Sequence, residues 1–254
     1  MAIEWQPLLA VLAIAAVFVP LEVLLPARRP PALAWRRFVT DFLHATVGGF
    51  LIRVGCLAAL FVLVPAPLPL GAADLPLWLQ LGLVLVVSDL MFWLAHRLFH
   101  AVPWLWEFHK IHHSSTHLDW LAAYRVHPLD QIVNSTLITL PALLLGFAPE
   151  AIALYALAYR WHAILLHSNV AVSLGPLERV IVMPRFHHWH HADHAEAHDR
   201  NFGGQLTVWD RLFGTLHRAE TDRPAVYGVA DAPREDFVAH LLSPFRTRPA
   251  QWQT

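Results

Sequence analysis

The sequence is nearly without lysine and cysteine and is poor in charge. Of its 18 basic residues only Lys110 is a lysine. Charged residues make up 15% of the 254-residue chain, against roughly 25% in soluble domains. Net charge is -1, and no basic stripe runs along the chain, which excludes nucleic acid as a partner. Cys56 is the only cysteine and sits inside an apolar run. That excludes an intramolecular disulfide and any cysteine-based zinc site. The HExxH pattern of zinc hydrolases is also absent. No signal-peptide cleavage pattern follows the first apolar segment, so that segment is expected to stay as an anchor. Arginine-rich, lysine-poor usage points to a GC-rich, bacterial genome.

Apolar residues fill the space that charge leaves. They reach 56%, and mean hydropathy is +0.44, the composition of an integral membrane protein. Three apolar segments run from about Leu8 to Leu25, Phe42 to Val64 and Leu75 to Ala95, each near the ~20 residues that cross a bilayer. Two shorter ones, Ile132 to Leu145 and Ala151 to Leu166, flank the turn signal Gly146-Phe147-Ala148-Pro149 and read as a tilted spanning pair or a re-entrant hairpin. From Ser168 onward the chain is polar and reads as a cap on the membrane face. Arginines set the orientation. Arg28, Arg29, Arg36 and Arg37 fill the first connection, whereas Pro65 to Asp74 and Gly146 to Glu150 hold no Lys or Arg. The positive-inside rule then places the first connection, residues 96–127 and the C-terminal part on the cytoplasmic side. The expected fold is an all-α polytopic membrane protein. It has about four transmembrane helices plus a hairpin or re-entrant segment, and a cytosolic, histidine-rich helical cap.

The histidines carry the chemistry. His96 and His100 form HxxxH; His109, His112 and His113 form HxxHH; His187, His190 and His191 repeat HxxHH. Residues three and four apart share a helix face, so each cluster can aim its imidazoles at one point. Eight convergent nitrogens exceed one tetrahedral zinc site, and two metals is the simpler reading. His188 points off the shared face and reads as an outward or hydrogen-bonding residue. His162 and His167 end the fifth segment; His167 is favoured as a further ligand, held by the neighbouring Asn169. His127, before Pro128, reads as a loop cap under the site. Asp89, Trp93, His96 and His100 fall on one helical face, and a charge near the end of an apolar helix needs a partner. The expected job of Asp89 is to accept the distal N–H of a ligating histidine. Arg160, inside an apolar segment near the site, is a second candidate for a catalytic role. Trp93, Phe99 and Trp106 are candidates for shielding the site.

Imidazole suits zinc, iron, copper and nickel alike. In a membrane the expected substrate is a lipid, and breaking an unactivated C–H bond calls for a redox metal and O2. A histidine-rich di-iron site is therefore the sharper expectation, with zinc as a substituting metal. Two alternatives stand beside it. A zinc or iron transporter or metal store would spread ligands along a crossing path rather than gather them at one face. A membrane metallohydrolase would need Glu107 or Asp193 as its base.

The motifs resemble the membrane-bound fatty acid hydroxylase / sterol desaturase superfamily. The likeness runs from Asp89-x-x-x-Trp93-x-x-His96-Arg97-x-x-His100 through His109-x-x-His112-His113-Ser114 and Arg125-x-His127-Pro128-Leu129. It continues with His167-x-Asn169 and Pro184-Arg185-Phe186-His187-x-x-His190-His191, and closes with Asn201-Phe202-Gly203 and Trp209-Asp210-Arg211-Leu212-Phe213-Gly214-Thr215. Residues 1–80 match only as apolar segments. The resemblance implies a four-helix membrane core with a cytosolic cap around a dimetal centre. It implies His96, His100, His109, His112, His113, His187, His190 and His191 as ligands, with His162 and His167 as positional candidates for more. It implies O2-dependent hydroxylation or desaturation of a lipid such as a fatty acyl or sterol-like substrate. A separate electron donor (ferredoxin, cytochrome or reductase) is then required. Three regions are expected: N-terminal transmembrane helices over 1–80, the catalytic region over 81–227 and a C-terminal tail over 228–254. The expected location is the bacterial inner membrane, with the site facing the cytoplasm.

Overall fold

The computed structural model describes residues 6–29, 34–63, 71–218 and 221–246. The lysine- and arginine-free connection at 65–74 lies outside the described residues as far as residue 70, as does the tail beyond residue 246. Among the described residues the chain is helical, and its only β-pairings are the isolated bridges Pro26–Val170, Ile181–Leu206 and Ala192–Tyr227.

Helix α1 spans Gln6–Leu24 and continues through Pro20. Helices α2 (Trp35–Leu43) and α3 (Gly49–Leu63) join through a π-helical turn at His44–Gly48. The joined run Trp35–Leu63 and helix α4 (Leu77–Ala101) are long and apolar enough to cross a membrane. The apolar part of α1, Leu8–Leu24, is shorter. Phe50, Leu57, Phe61 and Val62 on α3 are exposed large apolar side chains.

Proline then punctuates the chain. Helices α5 (Pro103–His113), α6 (Pro128–Leu144), α7 (Pro149–His167) and α8 (Pro184–His190) each begin with proline at the first helical position. There its missing N–H costs nothing and its fixed φ starts the helix. Val102 is extended between α4 and α5, so the chain folds back and brings the last turn of α4 against α5. Helices α6 and α7 are joined by a short turn at Gly146 with φ 73°, where the sequence placed its turn signal, and both pack on α4. Two short helices, α9 (Val208–Leu212) and α10 (Phe237–Leu242), follow.

Helix α4 is central, packing on α5, α6 and α7, while α3 packs on α6. Ser88 donates to the Ile138 carbonyl at 3.0 Å and locks α4 to α6. At the end far from the histidines, the Gln80 amide bonds Ala73 O, Leu75 O and Ala148 N, closing the helix connections.

Asp89 corrects one expectation. It accepts no histidine N–H. Its two oxygens accept from Gln205 N (2.7 Å), Leu206 N (3.0 Å) and Trp209 Nε1 (2.9 Å). The carboxylate is fully buried and pins the cap segment around α9 to α4. Asp89→Ala orphans three donors, at about 1–3 kcal/mol each where the donor is buried. It should lower the unfolding midpoint in detergent and the yield of monodisperse protein; an unchanged midpoint contradicts the pinning role.

Candidate metal centre

The fold-back at Val102 and the seating of α8 on α7 gather nine buried histidines into two groups. His96, His100, His109, His113 and His190 offer ring nitrogens all within 4.8 Å of one another; His112, His167, His187 and His191 form the second group by the same measure. Each HxxHH box is split between the groups. The i and i+4 members, His109 and His113, go to the first group and His112 to the second; on α8, His187 and His191 go to the second and His190 to the first. The His113 and His191 rings stack at 4.4 Å where the groups meet.

In the first group all five Nε2 atoms are buried without a hydrogen-bond partner. Four Nδ1 atoms are held from behind: His96 by Phe202 O (2.9 Å), His190 by Arg200 O (2.8 Å), His100 by Asp199 Oδ1 (3.2 Å) and His109 by Asp130 Oδ2 (2.7 Å). A carbonyl only accepts, so Nδ1 carries the hydrogen and the Nε2 lone pair faces inward. In the second group, His112 Nδ1 donates to Arg125 O (3.1 Å) and His167 Nδ1 to Ala163 O (2.8 Å). Their Nε2 lone pairs then face each other at 3.1 Å. His187 Nε2 lies 3.0 Å from that of His167, and His191 Nε2 lies 3.1 Å from that of His187. Two acceptors cannot bond to each other; a shared cation resolves the conflict. Ligands at 2.0–2.1 Å from one metal stand about 2.8–3.4 Å apart for angles between square and tetrahedral. The donor sets therefore fit metal ions in both groups.

Burial and neighbouring imidazoles push His112, His113, His187 and His191 well below the ordinary histidine range, and burial pushes His190 down to about 3. These rings are neutral at pH 7, the form a metal binds.

The loop around Asn201-Phe202-Gly203, a motif to which sequence alone assigned no role, organises the first group. Asp199 and Asn201 adopt left-handed φ of 55° and 59°, a region where Asp and Asn are enriched among non-glycine residues. This winding aims the Asp199 carboxylate and the Arg200 and Phe202 carbonyls at three different histidines. Asp210 fixes the loop, accepting from Phe202 N (2.9 Å), Gly203 N (2.7 Å) and Thr215 Oγ1 (2.6 Å). A Cβ on Gly203 would lie 2.6 Å from the Leu206 carbonyl oxygen, so only glycine fits.

Asp130 fills the role expected of Asp89. It is buried in the first turn of α6, bonds His109 and accepts from Asn134 Nδ2. An acidic residue in a first helical turn has a ready explanation in the helix dipole, which is why sequence alone does not single it out. Fully buried Arg125 lends His112 its carbonyl while its guanidinium bonds Asp41 Oδ1 (2.6 Å) and pairs with Glu235 (2.7 Å).

His167 falls among the second group, but Asn169 does not hold it. Asn169 bonds the Arg28 backbone on both sides and donates its own N–H to Glu22. His188 is buried outside both groups, 2.8 Å from the Tyr227 hydroxyl. His162 bonds Val182 O, and His127 caps α6 by accepting from Leu129 N. Arg160 is exposed, stacks over Tyr124 at 5.6 Å and lines the cavity beside the site rather than the nitrogen clusters. Trp106 lies 5.0 Å from the His100 ring, Phe99 5.8 Å from that of His109, and Trp93 stacks on Phe213.

The cavity, about 600 Å³, starts at His96, His109, His112, His167 and His187 and runs between α3, α4, α6 and α7 to Val84, Ala142, Ile152 and Tyr155. Its walls are mainly apolar, with Ser135, Thr139 and Asn134 among the polar exceptions.

Residues 81–215 match the model of the fatty acid hydroxylase family. The chain is 34% identical over 171 residues to an ornithine lipid hydroxylase of Rhizobium tropici, covering 67% of this chain and 51% of that protein. It is 33% identical over 141 residues to the human alkylglycerol monooxygenase, covering 56% of this chain and 31% of that enzyme. A cholesterol 25-hydroxylase-like protein of Danio rerio is 29% identical over 142 residues, 54% of this chain and 55% of that one. The chain thus spans about half the length of the first relative and under a third of the second. No solved structure is significantly similar.

Two outcomes are expected. Asp130→Asn should weaken metal retention about 10–100-fold by dialysis against a chelator, because the carboxylate sets the orientation and basicity of His109; retention equal to wild type contradicts that role. The metal-free chain should lose stability as pH falls below about 6.5, because the unfolded histidines protonate there while His190 stays neutral down to about 3. A flat midpoint across that window contradicts the buried neutral rings.

Proposed function

The chain belongs to the fatty acid hydroxylase family, and on that premise we propose that it is an integral-membrane oxidoreductase hydroxylating a lipid C–H bond with two iron ions and O2. The observation that carries this reading is the placement of nine inward-facing imidazoles at one end of a mainly apolar cavity. Iron bound there would supply the redox chemistry that O2 activation needs. Zinc is a substituting metal for the same nitrogens.

The protein's own residues do the rest. His96, His100, His109, His113 and His190 hold one ion; His112, His167, His187 and His191 hold the other. Asp130, Asp199 and the carbonyls of Arg125, Arg200 and Phe202 fix ring orientation, so little reorganisation accompanies the reaction. Phe99 and Trp106 pack beside the rings and keep water from the oxidant. The cavity aligns an extended acyl or isoprenoid chain so that one methylene lies at the nitrogen clusters. Arg160 and Tyr124 on its wall offer polar contacts to the substrate. Electrons come from a separate donor protein, a ferredoxin, cytochrome or reductase.

Trp35–Leu63 and α4 span the bilayer, with α1 and the α6–α7 hairpin completing a multi-pass core. The arginine distribution supports a cytoplasmic placement of the cap and the metal end, at the bacterial inner membrane. Residues 81–227 form the catalytic region. The 228–254 tail is more than an appendage, because Glu235 pairs with Arg125. Gathering the nitrogens at one end of a cavity favours catalysis over metal transport.

The test is lipid mass spectrometry on membranes that contain the chain, supplied with O2 and reductant. A product 16 Da heavier than a host lipid is expected, lost by more than about 100-fold in His112→Ala and kept in His188→Gln. A product 2 Da lighter would reassign the reaction to desaturation. Equal losses in both variants, or no oxygen consumption with the metal sites filled, would overturn the proposal.

A further inference from the structure

A second cleft, about 550 Å³, opens on the cap away from the metal cavity. Arg179, Arg185, Arg211 and Arg218 all line it. The acid in its lining is Glu178, whose Oε1 already accepts from Ser173 and Leu174 N. The exposed guanidinium groups of Arg179, Arg211 and Arg218, against one occupied carboxylate, make an anion-seeking site.

Two features say where the anion comes from. First, α9, which supplies Arg211, is fastened to α4 inside its apolar span. Trp209 bonds Asp89, and Phe213 stacks on Trp93 at 4.5 Å. Asp89 precedes His96 by seven residues, about 10 Å along the helix toward the bilayer centre. Second, exposed apolar side chains flank these arginines along the chain: Leu177 is 57% exposed, Val180 54%, Leu212 68% and Phe213 46%. Arginines with apolar neighbours, held beside a spanning helix, match the depth where headgroup phosphates meet acyl chains.

We propose that this cleft seats the phosphate of an anionic membrane phospholipid, with Leu177, Val180, Leu212 and Phe213 set in the acyl boundary. The bound lipid would fix the cap's height over the bilayer and with it the mouth of the metal cavity. This inference rests on the spanning reading of α4 and not on the hydroxylase chemistry. Retention of the chain in carbonate-washed membranes tests that spanning reading alone, so the two failures are distinguishable.

The experiment is native mass spectrometry of the full chain in detergent, titrated with phosphatidylglycerol or phosphatidylcholine. Wild type should hold phosphatidylglycerol at least about tenfold more tightly than phosphatidylcholine. The triple variant Arg179→Gln, Arg211→Gln, Arg218→Gln, all on exposed side chains, should lose that preference. Arg211→Gln alone should reduce it about fivefold and carries the test should the triple not fold. Equal binding of the two lipids by wild type, or an undiminished preference in the variants, overturns the proposal. Displacement of phosphatidylglycerol by millimolar inorganic phosphate would reassign the cleft to a soluble anion. Variants that bind phosphatidylglycerol normally but accept electrons more slowly would reassign it to a docking protein.

Discussion

Nine imidazoles, six of them with the Nε2 lone pair turned inward by a hydrogen bond at Nδ1, cannot stay buried together unaided. Each Nε2 is buried, and in the second group the ring nitrogens face one another at 3.0–3.1 Å, His112 and His167 as two acceptors. An unpaired buried polar group costs free energy, and the cost repeats at every ring. Cations at the two foci would resolve that conflict. Much of the surrounding structure acts to hold this one arrangement. Helix α4 breaks at Val102, α5 folds back, and α7 delivers His167 while α8 inserts the third box from the cap.

Six of the nine rings are held through their far nitrogens, and that outer layer ties distant parts of the chain to the centre. The 199–203 loop reaches three histidines of the first group. Asp210 holds that loop, and Asp89 holds the adjoining 205–209 segment to α4. Arg125 links His112 to Asp41 on α2 and to Glu235 in the tail. Elements at both ends of the chain thereby bear on ring orientation, although the family match covers only residues 81–215.

Much of this was legible in the sequence. The histidine spacing gave the helices and the shared faces, and a two-metal site followed from counting nitrogens. The turn signal at Gly146 to Pro149 marked the boundary between α6 and α7. Spacing did not reveal how each HxxHH box divides between the groups, because i, i+3 and i+4 share a face and only the partner helix decides which ring goes where. Asp89 was read as a histidine partner because it shares a helical face with His96. The structure turns it toward backbone donors more than 100 residues away, a contact no local pattern encodes. Asp130 and Asp199 were passed over for the same reason: a first-turn acid and a loop acid each have an ordinary local explanation. Among the described residues, Trp35–Leu63 and α4 alone reach spanning length and hydropathy, so the expected number of crossings rests on charge distribution rather than on helix length.

The measurement that bears most directly on this account is iron per chain in detergent-purified, untagged protein grown on iron-57, read by elemental analysis with Mössbauer spectroscopy. Two irons per chain with the signature of a coupled pair is the predicted result. A single metal per chain, or zinc alone in protein from iron-replete cells with no oxygen consumed on adding reductant and lipid, contradicts it.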